Sequence, residues 1–291
     1  MQFVPVTEIE GATGLSKEVI RKWELRYGFP QPLRDGNGER VYPKDQVERL
    51  RLVRRLLDSG MRPSKVVELD KSALETLVAG ASLAGPVDLT PFQQELFAAL
   101  KGHDPVRISR LLHVETQAQG LEHFARQTIP QLNILVGEAW LKGDLHIFEE
   151  HLYAQAISDF LQAVLPTVGV GPKILLTTMP GEIHVLGLQL AKLVLTLHGA
   201  NCLLLGAQTP IPEIIKASQA MQIDVVGLSF SIAQPVRNVA RFLGDLRAGL
   251  DPAVPIWAGG MGTARLPRRI PGVLAVQGFD QVVEALETWP L

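Results

Sequence analysis

The chain has 291 residues, 46% of them apolar and 20% charged, with a formal net charge of −2 and a single cysteine. That length suits two or three ordinary domains, the near-neutral balance excludes polyanion binding by bulk charge, and a lone Cys202 excludes both a disulfide framework and a cysteine-rich zinc site. The start, Met1 to Glu8, has no basic n-region and no apolar h-region, and no run of about 18 uncharged apolar residues occurs, so a soluble, cytoplasmic protein without a membrane segment is expected.

Residues 1–75 read as short helices and a turn-rich loop. Val6 to Gly11 is expected as one short helix. Ser16 suits the N-cap of a second that runs to Tyr27 and is stopped by Gly28-Phe-Pro-Gln-Pro32. Asp35-Gly-Asn-Gly38, set between Leu33 and Tyr42, signals a hairpin. Pro43 opens a third helix with Val47, Leu50, Val53, Leu56 and Leu57 at helical spacing, and Pro63 a fourth. Over residues 16–65, thirteen Lys/Arg face seven Asp/Glu, so this segment is locally basic. Residues 76–88 are small and broken by Gly and Pro, and read as a linker.

Residues 89–168 read as helical throughout, with starts at Thr90-Pro91 and Pro105 and punctuation at Gly120, Pro130 and Gly143; a four-helix bundle is expected. Residues 169–291 change character. Strand-like runs at Ile174–Thr178, Asn201–Leu205, Val225–Phe230, Ile256–Ala258 and Val273–Gln277 alternate with helical stretches, which predicts a Rossmann-like, doubly wound parallel sheet. The fold class is therefore multidomain, α and α/β. Between the first of these strands and a helix over Val185–His198 lies Gly181-Glu-Ile-His184-Val-Leu-Gly187. Such a loop sits at the carboxyl edge of the sheet, where open α/β folds bind ligands. Glu182 is placed to hold one nitrogen of His184, an arrangement that metal-bound histidines use. No Gly-x-Gly-x-x-Gly fingerprint occurs, so a nicotinamide dinucleotide is not expected.

Two short helices, a turn and a basic hairpin are the layout of a winged helix-turn-helix, whose second helix enters the major groove and whose wing touches phosphates. Candidate DNA contacts are Arg21, Lys22, Trp23, Arg26 and Tyr27 on the helix, Arg34 and Arg40 on the hairpin, and Tyr42 behind it. Val6-Thr-Glu-Ile-Glu10, Gly14-Leu-Ser16, Ile20-Arg-Lys-Trp-Glu-Leu-Arg-Tyr-Gly-Phe-Pro30 and Arg40-Val-Tyr42 resemble the MerR family of transcriptional regulators. The resemblance implies dimeric binding of double-stranded operator DNA.

Glu182, His184 and Gly187 resemble the Asp-x-His-x-x-Gly motif of the cobalamin-binding fold, with Glu in the Asp place. The resemblance implies that His184 ligates cobalt from the lower face. It also implies a slot for the cofactor's displaced base, formed here by Ser229-Phe230-Ser231, in place of the family's Ser-x-Leu, and by Gly259-Gly260, where glycine admits close approach. Leu205-Gly206-Ala-Gln-Thr-Pro210 is expected along the rim. Trp140, followed after nine residues by Glu150-His151 and then by a cobalamin fold, is similar to the CarH-type photoreceptor regulators.

That resemblance implies that Trp140, Glu150 and His151 cover and hold the adenosyl group of adenosylcobalamin, with methylcobalamin or hydroxocobalamin as alternatives. It also implies a light-dependent homo-oligomer, dimer or tetramer, that represses in the dark and releases DNA in light. Leu141 departs from well-known members, in which a histidine follows the Trp and captures cobalt after photolysis; water or His151 is expected there instead. The alternative is a light-independent regulator sensing cobalamin or another tetrapyrrole. A cobalamin enzyme would need a substrate barrel or methyl-donor domain, often of about 250 residues, and this chain spends its remaining length on a DNA-binding head.

Overall fold

Pro5 is followed by Val6, whose N–H donates to the Arg40 carbonyl at 2.9 Å, so the chain begins by closing a ladder. The computed structural model describes residues 3–58, 61–80, 89–166, 169–232, 234–266 and 270–289. They form two compact units, Met1–Val87 with Glu138–Asp144, and Asp88–Gly137 with Leu145–Leu291.

The first unit holds β1 (Phe3–Pro5), α1 (Ile9–Thr13), α2 (Lys17–Tyr27), β2 (Leu33–Arg34), β3 (Arg40–Pro43), α3 (Lys44–Asp58), α4 (Pro63–Val66) and α5 (Lys71–Gly80). β3 pairs antiparallel with both β1 and β2. Pairing of residues 3–5 with β3 is why the first helix starts at Ile9 and not at the expected Val6. Ser16 caps α2 by accepting the Val19 N–H, and Gly28 ends it at φ 64°. The core joins Ile20 and Trp23 of α2 to Val47, Leu50, Val53 and Leu56 of α3. The expected linker is partly helix: α5 continues to Gly80 because Val78 is buried in this core. The rest of that segment, 81–88, lies outside the described residues.

In the second unit, α6 (Pro91–Lys101) and α7 (Pro105–Gln119) start at Thr90 and Asp104 caps. α8 (Leu121–His123) runs through a π-helical turn (Phe124–Thr128) into α9 (Ile129–Lys142), and α10 (Ile147–Ala163) follows. Phe124 sits edge-on to both Phe92 and Phe160, tying α6, the π turn and α10 together. Then come β4 (Lys173–Thr177), α11 (Leu186–Leu197), β5 (Asn201–Gly206), α12 (Ile211–Met221), β6 (Val225–Ser229), α13 (Val236–Gly249), β7 (Ile256–Gly259), β8 (Val273–Ala275) and α14 (Phe279–Glu287). The sheet is parallel, in the order β5-β4-β6-β7-β8. Strand side chains alternate between its two faces. Leu175 enters a core with Ile214, Val239 and Leu243, while Ile174 and Leu176 enter another with Leu188, Leu195 and Val282. Cys202 is buried in the latter, and burial pushes its thiol up to about 11. Among the described residues no helix is long and apolar enough to cross a membrane.

Candidate functional site

From β4 the chain leaves for β5 on one side, while β6 lies on the other. Connections diverge at such a point and leave a crevice beyond the strand ends. The loop from Thr178 to Val185 occupies it. Within this loop Glu182 is 1% exposed while the ring of His184 is 58% exposed, and Nδ1 of His184 lies 2.6 Å from Glu182 Oε1. The His184 backbone N–H donates to the same oxygen at 3.1 Å, and the Ser231 N–H donates to Oε2 at 2.8 Å. Burial alone raises a carboxyl, but here the hydrogen bonds from His184 and Ser231 outweigh it and hold Glu182 down at about 2. An ionised carboxylate only accepts, so Nδ1 is the donor in this pair, and the Nδ1–H tautomer of the imidazole leaves the lone pair of Nε2 for a ligand.

Neighbouring strands fix the loop's backbone. Thr178 Oγ1 donates to the Glu182 carbonyl at 2.6 Å and accepts the Gln208 N–H at 2.8 Å. Gln208 Oε1 accepts the Gly181 N–H, and Gln234 Nε2 donates to the Gly181 carbonyl at 2.8 Å. Neither Thr178 nor Gln234 is singled out by a motif; Thr178 follows β4 directly and Gln234 lies in the loop between β6 and α13.

Beside the loop a cavity of about 340 Å³ opens between α11 and the sheet. Four candidates line it: Gly187, Ser229, Gly259 and Gly260. Its apolar walls include Leu176, Leu188, Trp257 and Val276, which were not foreseen. A Cβ on Gly187 would stand 3.1 Å from Ser229 Oγ. Gly260 has φ 89°, and a Cβ there would collide with the Phe230 carbonyl oxygen, so only glycine fits without strain. Ser231, expected as part of the wall, is outside this lining: its N–H holds Glu182, and Phe230 turns into the core on the opposite face. Among the described residues no cluster of three or more His, Cys, Asp or Glu could hold a metal ion. The single exposed imidazole of His184 beside an apolar cavity fits a group that carries a metal together with a planar apolar appendage.

Glu150 and His151 lie on α10, in its first two turns; His151 is exposed, with Nε2 3.6 Å from Glu150 Oε2. His146 caps that helix and stacks on Phe148. Trp140 is half-buried on α9 within Glu138–Asp144, with the Arg55 guanidinium 5.9 Å from its ring centroid. Trp140 belongs to the first unit, and Glu150 and His151 to the second.

On α2, Arg21, Lys22 and Arg26 are exposed, and Tyr27 is half-buried beneath the Arg26 guanidinium. Arg34 is exposed and donates to the Gly38 carbonyl at 2.6 Å. Arg40 is half-buried, 3.8 Å from Glu24. Two candidates are corrected. Trp23 is 6% exposed because it stands three residues after Ile20 on the helix face that packs into the core, and Tyr42 is 1% exposed beside it. The Tyr42 hydroxyl donates to Glu24 at 2.8 Å, and burial together with that carboxylate pushes the phenol well above its usual range. Neither side chain is on the outer face. Leu25, not singled out from sequence, is 90% exposed there.

A family model described as MerR HTH family regulatory protein matches residues 4–72, and one described as B12 binding domain matches residues 172–286. The chain is similar to the HTH-type transcriptional repressor CarH of Myxococcus xanthus, 32% identical over 275 residues covering 92% of this chain and 91% of that protein. It is also similar to the HTH-type transcriptional repressor CarA of Myxococcus xanthus, 29% identical, covering 88% of this chain and 86% of that protein. Among solved structures, a monomethylamine corrinoid protein from Methanosarcina barkeri is 16% identical, with 67% of this chain and 96% of that chain covered and a TM-score of 0.45.

Proposed function

Because the chain belongs to the MerR-type, B12-binding transcriptional regulators of the CarH and CarA type, we propose that it is a light-sensing repressor. In the dark it would bind adenosylcobalamin and oligomerise on double-stranded operator DNA; light would release the DNA. Residues 1–75 would read the operator, 89–168 would cover the cofactor and 169–291 would hold it. The observation that carries this reading is the Glu182–His184 pair at the switch point of the sheet, beside an apolar cavity lined by Gly187, Ser229, Gly259 and Gly260.

His184 would hold cobalt from below through Nε2, with Glu182 keeping the proton on Nδ1 and the ring in one orientation. The cavity would take the cofactor's own base. Adenosylcobalamin, when bound, supplies a cobalt–carbon bond that green or blue light breaks. Trp140, Glu150 and His151 would hold the upper ligand. A ligand with different affinity for two arrangements of the helices shifts the population between them, and its loss shifts the population back.

The test is size-exclusion chromatography and DNA binding of the full chain with adenosylcobalamin, in darkness and after illumination. A dark oligomer that binds DNA and falls apart in light supports the reading. A spectral change without change in assembly or DNA binding overturns the light step. Leu141, an aliphatic residue directly after Trp140, favours a second reading: a light-independent corrinoid sensor. That reading predicts equal DNA binding with methylcobalamin, hydroxocobalamin or adenosylcobalamin, and no response to light.

A further inference from the structure

α2 turns Ile20 and Trp23 into the head core and leaves Glu18, Arg21, Lys22, Leu25 and Arg26 exposed. These positions recur at steps of three and four, so they form one stripe along the helix. Leu25 stands one turn beyond Arg21 and Lys22 and next to Arg26. A single exposed leucine is ordinary on a protein surface. This one is flanked by three cations on the helix that a winged helix-turn-helix lays into the major groove. Charge of that sign matches the phosphates that border the groove. On the groove floor the thymine C5-methyl is the apolar group that distinguishes one base pair from another. An ammonium or guanidinium gains nothing from it, whereas an aliphatic side chain buries against it.

We propose that Leu25 is a specificity-determining residue of the head that packs on a thymine methyl in the major groove, while Arg21, Lys22 and Arg26 hold the backbone. The inference rests on the DNA-binding part of the function proposed above and adds the base that is selected. Leu25 has no hydrogen-bonding atom in its side chain, so its preference comes from the methyl and from shape. Truncating it leaves the head core intact, because 90% of its surface already faces solvent.

The test starts by selecting duplexes from a pool with a randomised central segment, using the full chain. Each thymine of the recovered duplex is then replaced in turn by deoxyuridine, which lacks only the methyl. The native chain should lose about fourfold in affinity at one thymine or more, equivalent to about 0.8 kcal/mol for one buried methyl. Leu25→Ala should bind the thymine and deoxyuridine duplexes equally while keeping the native salt dependence. Deoxyuridine tolerated everywhere by the native chain, or a thymine preference that persists in Leu25→Ala, overturns the inference and leaves DNA binding standing. Recovery of no duplex overturns the DNA-binding reading and this inference with it. Loss of self-association in Leu25→Ala, measured by sedimentation with the thymine preference intact, assigns the face to a second copy of the chain and also overturns the inference.

Discussion

The His184 loop and the outer face of α2 both meet solvent, yet they are built in opposite ways. In the loop the ionised group is Glu182, 1% exposed, with its oxygens met by His184 and Ser231. On α2 the charges of Arg21, Lys22 and Arg26 stand in the open. A buried charge must be matched within the protein, so its partners set the geometry before a ligand arrives. Exposed cations leave the matching to the ligand and act through the field of its phosphates. The first region is therefore read from hydrogen bonds, and the second from which side chains the core leaves outside.

The strongest way to break this comparison is Trp23→Ala. As a core residue it should cost the head about 3–5 kcal/mol, seen as faster hydrogen exchange along α2. A head that stays fully protected and only loses DNA would return Trp23 to the contact face. Next is the loop. Glu182→Gln should weaken adenosylcobalamin binding by about 10–100-fold, and His184→Ala by at least as much, both followed by absorbance titration; unchanged affinity in His184→Ala would remove the cobalt ligand from the proposal. On the open side, Arg26→Ala should leave stability untouched and reduce the slope of log affinity against log salt by about 0.9. A salt slope equal to the native one would take Arg26 off the backbone.

The smallest effect is at Tyr42. Tyr42→Phe deletes a buried hydrogen bond and should cost about 1 kcal/mol. Because the folded phenol titrates above its usual value of 10.0, through burial and the Glu24 carboxylate, this stability is present below that pH and is lost as pH rises beyond it. The difference between native and Tyr42→Phe in chemical unfolding should therefore shrink from neutral pH to strongly alkaline pH. A constant difference would place the hydroxyl outside the Glu24 interaction.

Much of the architecture was legible because local signals agreed with tertiary packing. The Ser16 cap, the turn at Asp35 to Gly38, the helix of Val47 to Leu56 and the strand–loop–helix around His184 all declare themselves within a few residues. Other features depend on distant partners. β1 exists because β3 pairs with it, and nothing in Phe3-Val-Pro5 alone requires a strand. The end of α5 depends on Val78 reaching the head core. The error at Trp23 has a different origin: residue type suggested a contact, while its spacing from Ile20 already placed it inside. The cavity walls beside His184 come from α11, α14, three strands and the turns after β7 and β8, and no short window of sequence gathers them.

Cys202 lies shut within the core beneath α11, with a thiol that burial keeps protonated at ordinary pH. The native chain thus offers maleimide reagents no accessible sulfur, and no background thiol has to be mutated away before labelling. A cysteine introduced at the exposed Val170, or on the outer stripe of α2, becomes the single addressable point for a spin label or dye. Distances between such probes on different copies would then test the proposed assembly in darkness and in light, with the native core left unaltered.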